Sequence, residues 1–153
     1  MGMKSNSGLF LGTTGSKLSD FLDQLKQYIK DETTAAVWKH IESTESNYPG
    51  TEIPRSFTID TPSGKMWTHG NATEHMYEAM SSSNLYPLMK NSNPRLYAQF
   101  ILYDYYKSLG KAVSNGIKYE VKIQKGSWEF IFSKPRSKGK FPVVKHAKFT
   151  GLK

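Results

Sequence analysis

Hydrophobic residues at helical spacing mark three amphipathic segments of the chain. The first runs from Leu18 to Ile29, where apolar positions three and four residues apart alternate with charged ones. A second, shorter segment covers residues 36–41. Pro94 is a suitable first-turn residue for a third helix, whose apolar positions continue to Leu109 or Asn115. All three segments are predicted to be helices with one face against a core.

Between the second and third of these segments, the period changes from helical to alternating. Residues 56–60 and 65–69 alternate apolar and polar side chains around a turn of Thr, Pro, Ser and Gly, which predicts a β-hairpin. Asn71 follows as a suitable N-cap for a helix over residues 72–80. Glu74 stands three residues after this N-cap, which is the position of the acidic partner in a capping box.

The last third of the chain alternates in three further segments. Strands are predicted over Ile117 to Gln124, Trp128 to Ser133 and Val143 to Phe149. Residues 134–140 separate the last two strands with a basic loop that contains proline and therefore cannot be a strand interior. Residues 42–54, rich in Ser, Thr, Asn, Pro and Gly, are predicted to be a loop.

This order of elements predicts an α+β fold with a mostly antiparallel sheet that ends in a three-stranded meander. The chain has 153 residues, which is the usual size of one domain. Residues 1–14 are rich in Gly, Ser and Thr and are expected to be a poorly structured leader or junction. Residues 15–153 are expected to form the single domain. No apolar run approaches the roughly 20 residues of a membrane span.

Charge is distributed unevenly along the chain and indicates a polyanionic partner. The formal net charge is +8, but residues 1–88 carry a balance of −3 and residues 89–153 one of +11. An excess confined to one half of the chain favours nucleic acid over a mere solubility effect. The side chains expected to contact phosphates lie on the predicted terminal strands and their loop: Lys118, Lys122, Lys125, Lys134, Arg136, Lys138, Lys140, Lys145 and Lys148. The alternatives are an anionic membrane surface, an acidic protein partner, or a solvated face that only aids solubility.

The chemistry available to the chain is mainly that of histidine. Cysteine is absent, acidic residues are few and the familiar nucleotide-binding glycine loops are missing, so neither a metal nor a cofactor is expected. His69 ends a predicted strand and His75 lies in the first turn of the next helix, where backbone N–H groups favour an anion. Alternatively, both cap that helix and pack on Trp67. His146, on the last strand, is either a second acid–base group or an edge residue. His40 is expected to be structural.

Two imidazoles and several cations are sufficient for a ribonuclease that uses no metal. The 2′-hydroxyl of RNA is itself the nucleophile, so the protein needs only to move protons and stabilise charge. DNA lacks this hydroxyl, and its hydrolysis usually needs a metal-activated water. Trp67 or Trp128 is a candidate platform for base stacking. Two other classes stay open. One is an enzyme that modifies protein or nucleotide, for example an ADP-ribosyltransferase with Glu120 or Glu129 as its catalytic carboxylate. The other is a nucleic-acid-binding module without activity.

Four segments carry a resemblance to a family. They are residues 53–57, 66–76, 126–136 and 142–147. Together they resemble the C-terminal toxin domains of bacterial polymorphic toxins, which contact-dependent or type VII secretion systems deliver. Asn71-Ala72-Thr73-Glu74-His75-Met76, after a strand and before a helix, is similar to toxin ribonucleases of the barnase–EndoU–colicin–RelE group.

The resemblance implies N-terminal helices before a small, mostly antiparallel sheet and metal-independent RNA cleavage through a 2′,3′-cyclic phosphate. His75, with His69, matches the histidine near the first strand and helix, and His146 falls on the last strand. Ser133 and Arg136 match polar groups at the end of a central strand. It also implies a monomeric, secreted effector that acts on tRNA or rRNA in a target-cell cytoplasm, and a cognate immunity protein, which we expect to be acidic.

These lines together predict the site residues. The acid–base work is assigned to His75 and His69, with His146 as partner, and Ser133 donates a hydrogen bond to the scissile phosphate. The phosphate-binding side chains are predicted to be Lys122, Lys134, Arg136 and Lys145.

Overall fold

The computed structural model describes residues 35–82 and 94–150. Three helices are present in these ranges: α1 (Val37–His40), α2 (Gly70–Ser82) and α3 (Pro94–Ala112). Six strands accompany them: β1 (Ile41–Ser43), β2 (Phe57–Thr61), β3 (Gly64–Thr68), β4 (Ile123–Lys125), β5 (Trp128–Ser133) and β6 (Val143–Phe149). The predicted leader at residues 1–14 and the predicted helix from Leu18 to Ile29 lie outside the described residues.

The six strands form one sheet in the order β1-β2-β3-β6-β5-β4. Every neighbouring pair is antiparallel except β3 and β6, which run parallel and join the predicted hairpin to the predicted meander. The α+β class, the single domain and the mostly antiparallel sheet are therefore confirmed. The two longer helices lie between β3 and β4 in the chain, so the described helices do not simply precede the sheet.

One face of the sheet packs against α3 and forms the core. Alternate residues of the central strands, among them Phe57, Met66 and Phe130, are fully buried on this face. Tyr105 of α3 is also fully buried, and its hydroxyl lies 2.8 Å from that of Thr68 on β3. Because these side chains occupy the core-facing side of each strand, the intervening residues of β3, β5 and β6 must point to the opposite face.

Helix α2 begins one residue before the predicted N-cap, and His69 caps it instead of Asn71. The backbone N–H of Asn71 donates to Nδ1 of His69 over 2.9 Å, and the His69 carbonyl accepts from the N–H groups of Ala72 and Thr73. The predicted capping box at Asn71 and Glu74 is therefore wrong. The physical reason is that the helical backbone already begins at Gly70, so Asn71 lies inside the first turn and its own N–H is bonded by the imidazole.

Two predictions fail at the edges of the sheet, one of a strand and one of a loop. The strand predicted over Ile117 to Gln124 is reduced to Ile123–Lys125 because the backbone of Glu120 turns to a positive φ of 61°. Tyr119 makes only an isolated bridge to Phe132. At the other edge, β1 pairs with β2 where part of a loop was predicted. A three-residue edge strand is too short to show an alternating pattern of its own.

The remaining predicted elements are confirmed: the hairpin of β2 and β3, the helix that begins at Pro94, and strands β5 and β6 around the basic loop. Among the described residues, every helix is too short or too polar to cross a lipid bilayer.

Candidate active site

The candidate site lies on the sheet face opposite α3. In β5, the buried residues alternate with Glu129, Ile131 and Ser133, which are half-buried. Their antiparallel partners on β6 lie on the same face and are Lys148, His146 and Val143. Two of the predicted site residues, Ser133 and His146, are thus placed on this face by strand alternation.

A β-bulge in β6 brings a third predicted residue to the same region. Ile131 pairs with His146 and Phe132 pairs with Val144, so Lys145 is an extra residue without a partner on β5. A bulge locally bends the strand and redirects its side chains. Here Lys145 and His146 are both half-buried, although they are consecutive, and neither enters the core.

His75 and His146 come together across two elements. Helix α2 packs against β6, and the imidazole rings have their centroids 5.1 Å apart with planes inclined by 75°. The side chains remain 34% and 24% exposed, so both rings are accessible to a ligand. Because α2 begins at Gly70, His75 lies in its second turn and not in its first, as had been predicted. The first-turn amides of α2 that bond to His69 are not free to bind an anion.

A carboxylate holds each of the two imidazoles. Nε2 of His146 lies 3.2 Å from Oε1 of Glu129, and the second oxygen of Glu129 lies 3.6 Å from Nζ of Lys122. The hydrogen bond with His146 outweighs burial and keeps the pKa of Glu129 below its usual value. Nδ1 of His75 lies 3.1 Å from Glu78, which is three residues further along α2. The sequence offered Glu129 only as the carboxylate of a different enzyme class and missed its role beside His146.

Lys145 and Ser133 share a second carboxylate, that of Glu120. The ammonium group of Lys145 pairs with Oε1 of Glu120, and the nearby hydroxyl of Ser133 also favours the charged form of this carboxylate. Lys145 lowers the pKa of Glu120 most, and Ser133 lowers it further. The Glu120 N–H donates to the carbonyl of Phe132 over 2.8 Å, which anchors this backbone position beside the end of β5. A cation and a hydroxyl donor are therefore already arranged around one anionic group.

His69 makes different contacts from those of His75 and His146. Its ring contacts that of Trp67 at 5.4 Å in an edge-to-face arrangement, while Nδ1 accepts the helix-capping bond. Burial, and secondarily the charge of Arg136, lowers the pKa of His69, so the ring is held neutral near pH 7. His69 therefore caps the helix and packs on Trp67, which is the structural alternative considered for it.

The other predicted residues divide between this face and the core. The guanidinium of Arg136 lies 5.4 Å from the centre of the Trp67 ring. Lys134 is exposed directly after Ser133. Trp128, in contrast, is fully buried and donates its Nε1 proton to Asp104 over 2.8 Å, so its prediction as a stacking platform is wrong. His40 stacks on Tyr106 with ring centroids 4.7 Å apart, as expected of a structural histidine.

Within residues 35–82 and 94–150, no group of three His, Asp or Glu side chains is placed to hold a metal ion. The comparisons with known proteins add no relative: no protein-family model matches the chain, and no curated protein matches it either.

Proposed function

We propose that this chain is a metal-independent ribonuclease in which His75 and His146 move the protons. The observation that supports the proposal most directly is the 5.1 Å approach of the two imidazoles beside Lys145, Ser133 and Lys122. A hydrogen bond extends each ring by about 3 Å, so one phosphate group can be within reach of both. Acid–base catalysis at phosphorus requires this combination of two proton carriers and fixed positive charge.

The hydrogen bonds of the imidazoles suggest the role of each. When Nε2–H of His146 donates to Glu129, the lone pair of the neutral ring is on Nδ1. His146 is therefore assigned as the base that takes the proton of the 2′-hydroxyl. His75 is assigned as the acid that protonates the leaving 5′-oxygen. The 2′-oxygen forms a bond to phosphorus, the bond to the 5′-oxygen breaks, and the product carries a 2′,3′-cyclic phosphate.

The cations and the hydroxyl serve the charge that develops on the phosphate. Lys145 already binds the Glu120 carboxylate with the Ser133 hydroxyl nearby, and a phosphate oxygen has the same need for a cation and a hydroxyl donor. Donors fixed in place before the reaction stabilise the transition state more than mobile ones do. Lys122 adds a further positive charge on the Glu129 side.

The proposal is tested with a short RNA and its matched control, the same RNA with 2′-deoxyribose at the cleaved position. In excess EDTA, the protein is expected to cleave the RNA to a 2′,3′-cyclic phosphate end and to leave the control intact. Cleavage of the control, or an absolute need for a divalent ion, would overturn the proposal.

The wider biological role proposed is that of a secreted effector that acts on RNA in the cytoplasm of a target cell. The +11 balance of residues 89–153 favours an acidic protein as the cognate inhibitor, because complementary charge steers association. Cytoplasmic expression in bacteria is expected to arrest growth, and the His146→Gln variant is expected to permit it. Equal growth of cells with either protein would count against a toxin.

A further inference from the structure

Trp67 presents an indole on the same sheet face as the histidine pair. On β3, its neighbours Met66 and Thr68 are fully buried toward α3, so Trp67 points to the opposite face. Its parallel partner on β6 is Val143, which in turn pairs with Ser133. The indole is thus part of the surface that carries Ser133 and His146.

This indole is held in a fixed position without being buried. Its Nε1 proton is donated to Oγ1 of Thr44 over 3.1 Å, and the imidazole of His69 packs against it edge to face. The side chain is only half-buried, which leaves ring surface accessible. An aromatic ring that is already ordered loses little conformational entropy when a planar ligand stacks on it.

Arg136 adds the second part of a nucleotide-binding surface. Its guanidinium, 5.4 Å from the centre of the indole ring, comes from the basic loop between β5 and β6. A guanidinium can stack on a planar ring and bind phosphate oxygens through its planar set of N–H donors. A half-buried indole with an arginine over its ring therefore offers partners for both parts of a nucleotide, the base and the phosphate.

We infer that Trp67 and Arg136 form a nucleobase subsite that binds a nucleotide flanking the cleaved bond. The inference rests on the proposed ribonuclease function. Val143, beside Trp67, and His146 span only two residues of β5 across the bulge, or about 7 Å at the usual rise of a strand. This exceeds the reach of one hydrogen bond, so the stacked base belongs to a neighbouring nucleotide. Because every base has a π face, the subsite binds single-stranded RNA with little sequence preference.

The test measures binding of an RNA oligonucleotide made uncleavable by 2′-deoxyribose at the cleaved position. Trp67→Ala is expected to bind roughly 5- to 150-fold more weakly than the unmodified protein. Trp67→Phe, which keeps an aromatic ring, is expected to lose less. The matched control is Trp38→Ala, because Trp38 also pairs with an arginine, Arg95, at 4.0 Å, but bonds through Nε1 to Gln99 of α3. This control variant is expected to bind normally.

A scan with one abasic nucleotide at a time locates the stacked base. In the unmodified protein, one abasic position is expected to weaken binding and to abolish the quenching of Trp67 fluorescence. In Trp67→Ala, an abasic nucleotide at the same position is expected to cause no further loss of affinity. Equal binding by Trp67→Ala and Trp38→Ala, or an unchanged abasic penalty in both proteins, would overturn the inference. If Trp67→Ala does not fold, fluorescence quenching in the unmodified protein, lost in Trp67→Phe, decides instead.

The binding assay needs no cleavage, so it separates the subsite from the reaction. Weak binding by Trp67→Ala together with no RNA cleavage by the unmodified protein would support the subsite and overturn the ribonuclease. RNA cleavage by the unmodified protein together with normal RNA binding by Trp67→Ala would support the ribonuclease and overturn the subsite.

Discussion

Glu129 is the single side chain on which the proposed chemistry depends most. It forms a hydrogen bond with Nε2 of His146 and an ion pair with Lys122, and its side chain is 23% exposed. A carboxylate in this position fixes both the orientation and the tautomer of an imidazole. The sequence alone could not assign this role, because residues 129 and 146 are brought together only by the register of β5 and β6.

Replacement of Glu129 by glutamine is expected to lower kcat about 10- to 100-fold with little change in KM. The amide can still bond to His146, but it carries no charge to stabilise the imidazolium that forms during the reaction. Steady-state kinetics in EDTA, with Glu74→Gln on the exposed side of α2 as control, measure the effect. A raised KM at constant kcat would show that Glu129 serves substrate binding instead.

Asp104 gives a pH-dependent prediction of stability. Burial raises the pKa of this carboxyl, and the hydrogen bond from Trp128 only partly opposes the increase. The folded-state pKa therefore exceeds the unfolded one, so the stabilising contribution is complete below the unfolded pKa and is lost as the pH rises through the folded pKa. At pH 7, the charged form costs stability.

Asp104→Asn is therefore expected to raise the free energy of unfolding at pH 7 by about 0.5–1 kcal/mol, the usual size of a stabilising substitution. The amide oxygen can still accept the proton of Trp128. The gain should shrink in acid, where Asp104 itself is protonated. Urea unfolding at several pH values measures it, and a variant less stable than the unmodified protein at pH 7 would contradict this account.

The elements of the fold were predictable where their own sequence carries a period. The hairpin of β2 and β3, helix α3 and strand β5 all have one buried face that repeats along the segment, and β6 alternates after its bulge. The failures have local causes. The positive φ at Glu120 interrupts an alternating segment, and the His69 imidazole replaces Asn71 as the cap of α2.

The candidate site was predictable in its residue types but not in its pairing. His75 and His146 were both singled out, and Ser133 and Lys145 lie on the same sheet face, but the pairing of His75 with His146 depends on α2 packing against β6. The bulge at Lys145 left no sequence signal, because it is defined by the partner strand.

The contact between α3 and β3 provides a prediction at the scale of elements. Tyr105 and Thr68 share a buried hydrogen bond, so Tyr105→Phe and Thr68→Val each leave one buried hydroxyl without its partner. Each variant is expected to lose about 1–2 kcal/mol of unfolding free energy. The double variant should lose less than the sum of the two, because neither hydroxyl is then left alone. Chemical denaturation of the unmodified protein, the two single variants and the double variant measures this coupling. Strictly additive losses of unfolding free energy would show that the two hydroxyls are not coupled.

The uneven distribution of charge is a property of the whole molecule. The +11 balance of residues 89–153 includes Lys122 and Lys145 beside the histidine pair and Arg136 over Trp67. Cations that replace the counterions of a nucleic acid make binding sensitive to salt. If these three cations contact phosphate as proposed, the affinity of the complete protein for RNA must depend on the salt concentration.

The logarithm of the association constant for single-stranded RNA is expected to fall with the logarithm of the salt concentration, with a slope of about −0.7 for each phosphate contacted. Lys145→Gln should make the slope shallower by about 0.7, and Lys39→Gln, on α1, should leave it unchanged. Fluorescence anisotropy with an uncleavable oligonucleotide gives the slopes. Equal slopes for all three proteins would show that Lys145 does not contact phosphate.

The most direct test of the central claim compares RNA cleavage rates of three histidine variants in excess EDTA. His75→Gln and His146→Gln are each expected to slow cleavage at least about 100-fold, the usual contribution of an acid or base. His40→Gln is the control, because His40 is exposed to a similar degree, at 37%, but stacks on Tyr106 away from the pair. It is expected to cleave at nearly the normal rate. Normal cleavage by His75→Gln and His146→Gln would contradict the account.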